Sequence, residues 1–586
     1  MSLRILIIAI VVAFAAGAVL PDFYVSVLNY IALYALVTLG VVLLTGVAGI
    51  TSFGQAAFVG IGAYASAVVS AKFGVSPWLG LLLGLALTTV SALIIGWVTL
   101  RLSGHYLPLG TIAWGVSLYY LLGNIESFGG HTGLTGIPAI SVSGYVLDTG
   151  RKMYFLIWAV LLVAMALTAN ILESRPGRAI RALKSAAGTA ESFGVSTTRT
   201  KMVVFLYAAL LASISGWLYA HLLRFVNPTP FSLTMGIEYL FMAVIGGAGS
   251  VWGALVGAGI ITVLKEYLQV VLPHWIGRSG NYEVIVFGGF MILLLQFNRE
   301  RGLTALLTGW FRRAPAPVSS ASDSALTKRG SNSCSPVAKV SGVRKQFGGL
   351  TAISDLSFDI RRGELLALIG PNGAGKTTLF NILSGALPPT GGTVTFNGEA
   401  ITGLPPHAVA RKGVARTFQH VQIVKGMSVL ENAMLGAYNR ASHGTIAAAL
   451  KLNRREEAAL RCEASRALAR VGLGGAEHEM AESLALGQQR ILEIARALCA
   501  DPELLLLDEP AAGLRYAEKL SLAELLNSLK SGGMSILLVE HDMEFVMNLA
   551  DRIVVMNFGQ KLSEGTPAAI QNDDRVIEAY LGAEVA

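Results

Sequence analysis

From residue 3 to residue 297 the chain is a succession of apolar runs separated by short polar stretches. A helix needs about 20 apolar residues to cross ~30 Å of hydrocarbon. The pattern predicts spans at Leu3–Leu20, Val25–Ala48, Ser52–Ala71, Trp78–Leu100, Tyr106–Leu122, Met153–Leu172, Met202–Phe225, Met235–Ala248, Trp252–Val271 and Tyr282–Phe297, about ten in all. Several are short or rich in glycine. Met235–Ala248 is the weakest and reads as a crossing or a re-entrant segment. After about Pro336 the pattern changes to that of a soluble α/β domain, with short apolar strands alternating with amphipathic helices. Between the two patterns lies "RRAPAPVSSASDSALTKRGSNSCSPVAK", Arg312–Lys339, without hydrophobic period and rich in Ser, Ala and Pro. It reads as a flexible tether. The expected architecture is an all-α polytopic membrane domain at residues 1–311, a linker at 312–339 and a P-loop α/β domain at 340–586.

Charge placement orients the spans. Basic residues concentrate in Glu173–Lys201 and again after Phe297, at Arg299, Arg301, Arg312 and Arg313. An excess of Lys and Arg marks the cytoplasmic side. Two points on one side require an even number of crossings between them, which counting Met235–Ala248 as a crossing satisfies. Asn124–Gly150 then falls outside and Arg101 inside. Met1–Leu20 has two readings, a retained helix, which we adopt, or a signal peptide ending near "AAGA". Glu238 lies within a span. A carboxylate there faces a pathway or a partner, or sits near the span end and is hydrated.

Composition agrees with a divided chain. Hydrophobic residues make up 53% and charged residues 14%, against about 25% charged in soluble domains. The formal charge of +8 is accounted for by membrane-flanking loops and calls for no nucleic-acid partner. Cys334, Cys462 and Cys499 are the 3 cysteines. Their spacing gives no metal site, and a reduced compartment without disulfides is the simplest reading.

The chemistry lies in the second half. "GPNGAGKTT", Gly370–Thr378, follows the strand-like run Leu365–Ile369 and precedes a helical pattern. It fits the phosphate-binding pattern G-x-x-x-x-G-K-[ST], in which glycines turn backbone N–H groups toward phosphate oxygens. Lys376 would reach the β- and γ-phosphates, and Thr377 would ligate Mg²⁺. "LLLLDEP", Leu504–Pro510, reads as a buried strand ending in two acids. Asp508 is placed for the Mg²⁺ shell and Glu509 for the attacking water.

With "LALGQQR" (Leu484–Arg490), "LLVEHDM" (Leu537–Met543) and "RTFQHV" around Gln419, residues Val340–Gly582 resemble an ATP-binding cassette (ABC) domain. The resemblance is closest to the LivG-type ATPase of branched-chain amino acid importers, through "FGGLTAISDLSF", "GPNGAGKTTLFNILSG", "ITGLPPH", "GQQRILEIARAL", "LDEPAAGL" and "AYLG". The apolar half resembles the partner LivM-type permease through "GQAAFVGIGAY", "GLTGIP", "SRPGRAIRALK" and "VIGGAGSVWGALVGA". The resemblance implies a permease fused to its ATPase.

It also implies roles. Phe347 would stack on adenine. Gly370, Asn372, Gly373, Ala374, Gly375, Lys376, Thr377 and Thr378 would hold the phosphates. Gln419 would touch Mg²⁺ or water and relay to the membrane part. Glu509 would be the catalytic base, with His541 on the γ-phosphate. Leu484, Ala485, Leu486, Gly487 and Gln488 would form the signature that serves ATP on the opposite ATPase subunit. The sequence departs from the family pattern at Ala485, where a Ser hydroxyl is usual, at Leu486, and at Arg515 and Tyr516, where this branch usually has Asn-Pro.

"SRPGRAIRALKSAAGTAESFGV", Ser174–Val195, stands where importers of this family dock on their ATPases. Ser174 can cap a helix and Pro176 fits its first turn. Three-residue spacing puts Arg175, Arg178, Arg181 and Lys184 on roughly one face, and Ala186, Ala187 and Ala190 permit close approach. We assign Arg178, Arg181 and Lys184 to coupling, with a positive-inside loop as the alternative. The implied assembly adds a LivH-type permease, a LivF-type ATPase and an extracytoplasmic solute-binding protein, all in the cytoplasmic (inner) membrane system, with ATP and Mg²⁺ used by a cassette facing the cytoplasm. A homodimer is the rival assembly. The expected cargo is a branched-chain amino acid or a related small solute. Urea, amides or aromatic acids are the alternative cargo, and a half-exporter or an ATP-gated membrane protein the alternative function class.

Overall fold

The structure is a computed structural model that describes residues 3–102, 104, 106–276, 288–289, 296, 326, 329 and 336–584. Most of the predicted span Tyr282–Phe297 and most of the Arg312–Lys339 tether lie outside the described residues. The chain divides into two compact units, Met1–Glu173 with Thr198–Ala314 and Ala448–Lys451, and Ser174–Thr197 with Pro315–Ala447 and Leu452–Ala586.

The first unit is helical: α1 (Leu3–Val19), α2 (Asp22–Val41), α3 (Gln55–Phe73), α4 (Pro77–Thr99), α5 (Tyr106–Asn124), α6 (Gly150–Leu172), α9 (Thr197–Leu223), α10 (Leu233–Gly246) and α11 (Val251–Ile276). Two shorter helices, α7 (Arg175–Ser185) and α8 (Ala187–Ser192), belong to the second unit. Helix starts follow local chemistry. Ser76 accepts from Trp78 N with Pro77 in the first turn of α4, and Thr149 accepts from Lys152 N at α6, each filling an orphan donor.

Among the described residues six helices are long and apolar enough to cross a membrane, and the unit is a multi-pass membrane domain. The sequence pattern gave about ten spans. Leu233–Gly246 has 14 residues, about 21 Å at 1.5 Å per residue. The 19-residue Tyr106–Asn124 is diluted by Pro108, Gly110 and its tyrosines. α2 runs through the interior, with 78% of its apolar window buried, whereas α4 buries 33%. On α4, Leu79, Leu82, Leu87, Val90, Ile94 and Trp97 are exposed, the apolar outer surface that lipid requires. Small residues let backbones touch. A Cβ on Gly216 would lie 1.9 Å from Val59 O, and one on Gly257 would lie 1.8 Å from Met242 O, so α9 meets α3 and α11 meets α10 without intervening side chains.

Glu238, within the expected span Met235–Ala248, has a charged partner on the following helix. Lys265 Nζ donates to Glu238 Oε1 at 3.0 Å and Oε2 at 3.1 Å.

The second unit is built on a six-stranded sheet in the spatial order Val414–Arg416, Leu504–Asp508, Ser535–Val539, Leu365–Ile369, Arg552–Asn557, Gln560–Gly565. The first five are parallel and the last antiparallel. Leu365–Ile369, Leu504–Asp508 and Ser535–Val539 are buried at every position, as unbroken apolar runs in a sheet covered on both faces should be. Alternate residues serve opposite faces. Leu365, Ala367, Leu505 and Leu507 enter one core, and Leu366, Leu368, Leu504 and Leu506 the other. A four-stranded antiparallel sheet runs Leu350–Ile360, Ala338–Phe347, Gly391–Phe396, Glu399–Ala400.

Candidate functional site

The parallel strands end together, and their C-terminal ends are where ligands bind in open α/β sheets. The loop after Leu365–Ile369 carries Gly373 and Gly375 at φ +81° and +99°. A Cβ at Gly375 would lie 2.6 Å from Ala352 O, so the turn accepts no side chain there. It leads into helix Lys376–Leu383, whose N-terminus presents unpaired N–H groups to a cavity of about 540 Å³. The cavity wall joins Phe347, Asn372, Gly373, Ala374, Gly375, Lys376, Thr377, Thr378, Gln419, Glu509 and His541. These come from five separated stretches of sequence. Gly370 and Asp508 lie behind this surface. Leu350, Thr351, Ala352 and the exposed Phe558 complete it; the first three lie within "FGGLTAISDLSF", where only Phe347 has an assigned role, and Phe558 lies in none of the quoted motifs.

Lys376 is buried and its Nζ donates to Gly370 O at 2.6 Å and Pro371 O at 3.0 Å. Burial holds this ammonium below the usual lysine range, with Glu509 and Asp508 opposing the shift. Asp508, 2% exposed, has its carboxyl pushed up by burial and partly restored by Arg416, whose Nη2 lies 3.2 Å from Asp508 Oδ2. Arg416 also donates to Asn381 Oδ1 at 2.6 Å and Ser384 Oγ at 2.9 Å, tying the phosphate-loop helix to the acidic strand end. Arg416 opens the stretch "RTFQHV", in which the sequence marks a role for Gln419 alone.

Glu509 sits one residue past its strand with φ +48°, a left-handed value that is costly for a residue with a Cβ. Its carboxylate is held from both sides. His541 Nε2 lies 2.6 Å from Oε1, and Gln419 Nε2 donates to Oε2 at 3.1 Å. Arg490 braces the pair, donating to Glu509 O at 3.0 Å and Gln419 O at 3.2 Å.

The signature residues stand apart from this cavity. Helix Leu486–Cys499 begins at Ala485, and Leu484 is buried while Leu486 is exposed. Gly487 and Gln488 border a second cavity of about 450 Å³ with Leu514 and Glu518. A Cβ at Gly487 would lie 2.6 Å from Glu518 Oε1. Glu518 Oε2 accepts from Arg515 N at 2.8 Å. Ala485 has no oxygen to cap the helix, and Gln488 Oε1 accepts from Ala485 N at 3.3 Å.

Ser174–Val195 folds into the second unit. The buried Arg178 pairs with the half-buried Glu457 at 2.9 Å, and Arg181 meets Glu431 at 3.0 Å. Burial lowers the Arg178 guanidinium from its usual range, with Glu457 opposing. Arg175, which the sequence reading left out of the coupling set, donates to Tyr438 O and His443 O at 2.8 Å and lies 4.6 Å over the Tyr438 ring. Ala179, Ala182, Ala186 and Ala190 pack on Val424, Met427 and Leu435. Ala187 is only half-buried.

Two expectations change. Ser174 holds the N-cap position, but its hydroxyl does not bond the first turn. Glu457 takes that place, accepting from Arg175 N at 2.5 Å. The basic residues are not on one face. Each three-residue step turns about 300° round an α-helix, so the series drifts. Arg175 and Arg178 are buried, Arg181 is half-buried and Lys184 is exposed.

Residues 23–295 match the family "branched-chain amino acid transport system / permease component". Residues 353–512 match "ABC transporter", and 560–586 match "branched-chain amino acid ATP-binding cassette transporter". The high-affinity branched-chain amino acid transport ATP-binding protein LivG of Salmonella typhimurium is 45% identical over 250 residues, covering 42% of this chain and 98% of LivG. The chain belongs to the branched-chain amino acid ABC transporter family. The BraF protein of Pseudomonas aeruginosa, similarly named, is 44% identical over 42% of this transporter chain and 98% of its own length. A solved nucleotide-free ATP-binding cassette is 30% identical over 42% of the chain and 98% of its own, with TM-score 0.37. The transporter thus carries a permease and an ATP-binding, ATP-hydrolysing cassette in one polypeptide.

Proposed function

We propose that this chain imports branched-chain amino acids across the cytoplasmic (inner) membrane, with its cassette in the cytoplasm. The permease occupies residues 1–311 with about ten spans, the linker 312–339 and the cassette 340–586. A second permease of LivH type, a second ATPase of LivF type and an extracytoplasmic binding protein complete the assembly. The observation that carries the reading is the Glu509 carboxylate, held between His541 and Gln419 at the rim of the phosphate-loop cavity, on the same chain as a permease.

Phe347 stacks on adenine, and Gly370 with Asn372–Thr378 holds the phosphates. Glu509 accepts the proton of the attacking water, oriented by His541 and Gln419. Thr377, Gln419 and Asp508 offer the hard oxygen donors that suit Mg²⁺, and when bound the ion would neutralise charge on the β- and γ-phosphates. Asp508 must first exchange its Arg416 contact. Leu484–Gln488 serves ATP held by the opposite ATPase. Arg178, Arg181 and Lys184 carry the coupling segment, Arg178 as its anchor.

The test is ATP-dependent uptake of radiolabelled L-leucine by the reconstituted assembly, with urea and an amide as competitors. Uptake of L-leucine that stops with Glu509→Gln supports the reading. Uptake of urea in its place assigns a different cargo.

A further inference from the structure

A cavity of about 570 Å³ opens inside the permease unit among α2, α9, α10 and α11. Tyr30 and Tyr34 of α2 and Tyr219 of α9 supply aromatic wall, and Met242 and Ile261 supply aliphatic wall. The Glu238–Lys265 pair faces the same space, as does the carboxylate of Glu266. The side chains of the pair keep 18% and 32% of their exposure, so a solute in the cavity can reach both charges. Thr262 also lines it. That residue is 5% exposed, and among the described residues its hydroxyl has no hydrogen-bond partner.

An ion pair inside a membrane domain is weak stabilisation, because desolvation offsets the attraction. Here α10 and α11 are already joined backbone to backbone at Gly257 and Met242. The pair can therefore open by side-chain rotation without parting the helices.

We propose that this cavity is a transient binding station for a zwitterionic, apolar α-amino acid, with Glu238 taking the ammonium and Lys265 the carboxylate. The proposal rests on the importer reading above and deepens it. A zwitterion carries both charges on one carbon, so it opens the pair and replaces one charge-assisted contact with two. A neutral solute would leave both charges unpaired. A simple amine would leave Lys265 unpaired, and a simple acid Glu238. The tyrosines, Met242 and Ile261 receive the side chain, and Thr262 offers a hydroxyl to either charged group. In the proposed orientation the cavity lies toward the outer ends of α2 and α9, where a delivered solute enters.

The test uses the full transporter in proteoliposomes, with Thr234→Cys as reporter. Thr234 is exposed and lines the cavity. L-Leucine should slow thiol modification at this position, counted above the background of the native cysteines. 3-Methylbutylamine and 4-methylpentanoate, each lacking one charge, should not. Glu238→Gln and Lys265→Met should remove the protection and lower L-leucine uptake about thirtyfold or more. The exchanged pair Glu238→Lys with Lys265→Glu keeps an ion pair for the fold but reverses its polarity, and should not restore uptake. Equal protection by all three solutes, no protection by L-leucine, or full uptake by the exchanged pair overturns the station. If the unmodified transporter takes up L-leucine without protection, the station alone falls. If it takes up no L-leucine, the importer reading falls and the station with it.

Discussion

Glu509 and His541 meet at 2.6 Å across the ends of two neighbouring parallel strands, Leu504–Asp508 and Ser535–Val539. The strand register fixes that separation, since Asp508 pairs with Val539. In the proposed mechanism the carboxylate acts on water rather than on the nucleotide. Glu509→Gln should lower phosphate release about a hundredfold or more while a fluorescent ATP analogue binds as before. His541→Ala should lower kcat by less, because it removes the orienting group and leaves the base.

Arg178 and Arg181 should behave differently under substitution. Arg178→Met leaves the half-buried Glu457 without its cation and should cost about 1–3 kcal/mol of stability, with Arg178→Met/Glu457→Leu recovering part of it. Arg181→Glu changes a half-exposed pair and should cost about 1 kcal/mol or less, while uptake falls and hydrolysis stops responding to loaded binding protein. Thermal unfolding of the whole chain, run beside coupled uptake and ATPase assays, separates the two. Uptake that remains tied to ATP turnover in Arg181→Glu would show the segment to be a passive cytoplasmic loop.

Ala485→Ser supplies a cap to helix Leu486–Cys499 where Ala485 has none. The gain should be about 1 kcal/mol, visible as a higher Tm. In the proposed heteromeric assembly it should also raise hydrolysis only at the ATP held by the opposite cassette. Equal acceleration at both sites argues against a signature acting across the interface.

Asp542 sets a pH dependence. Lys519 Nζ donates to its carboxylate at 2.6 Å and Phe545 N at 3.1 Å, and the Lys519 hydrogen bond leads the lowering of its pKa. The folded chain therefore gives up this proton more readily than the unfolded chain. The resulting stability is complete above the unfolded value of about 3.9 and is lost as pH falls through the lower folded value. Asp542→Asn keeps an N-cap without the titration. Its Tm should lie below that of the native chain at neutral pH, and the gap should close below about pH 4.

The cassette site was legible because its chemistry sits at strand ends and glycine turns, both marked locally. "GPNGAGKTT" and "LLLLDEP" each declare a strand, a turn and the reactive residue together. Arg416 was not legible, because its partner Asp508 is remote in sequence and a lone arginine on a short strand has no local mark. The same holds for Glu457 and Glu431, which meet Arg178 and Arg181 from 279 and 250 residues further along the chain. In the permease, run length predicted helices better than it predicted crossings. Leu233–Gly246 is mostly apolar yet short, and Lys265, which neutralises its Glu238, lies on the next helix at a spacing no helical repeat links to it.

That α7 and α8 fold into the second unit has a consequence for how the chain is made. The alanines of α7 and α8 pack on Val424, Met427 and Leu435, which leave the ribosome about 230 residues after Val195. At ~5–20 residues per second this is an interval of about 10–50 s. Throughout it Arg178 has no Glu457 and the alanine ridge has no cover, while the membrane helices on either side are already being inserted. The earlier-made half of the protein thus finishes one of its helices only when the later-made half arrives. When the two halves are translated as separate polypeptides, the same packing becomes a bimolecular assembly step that depends on their concentrations.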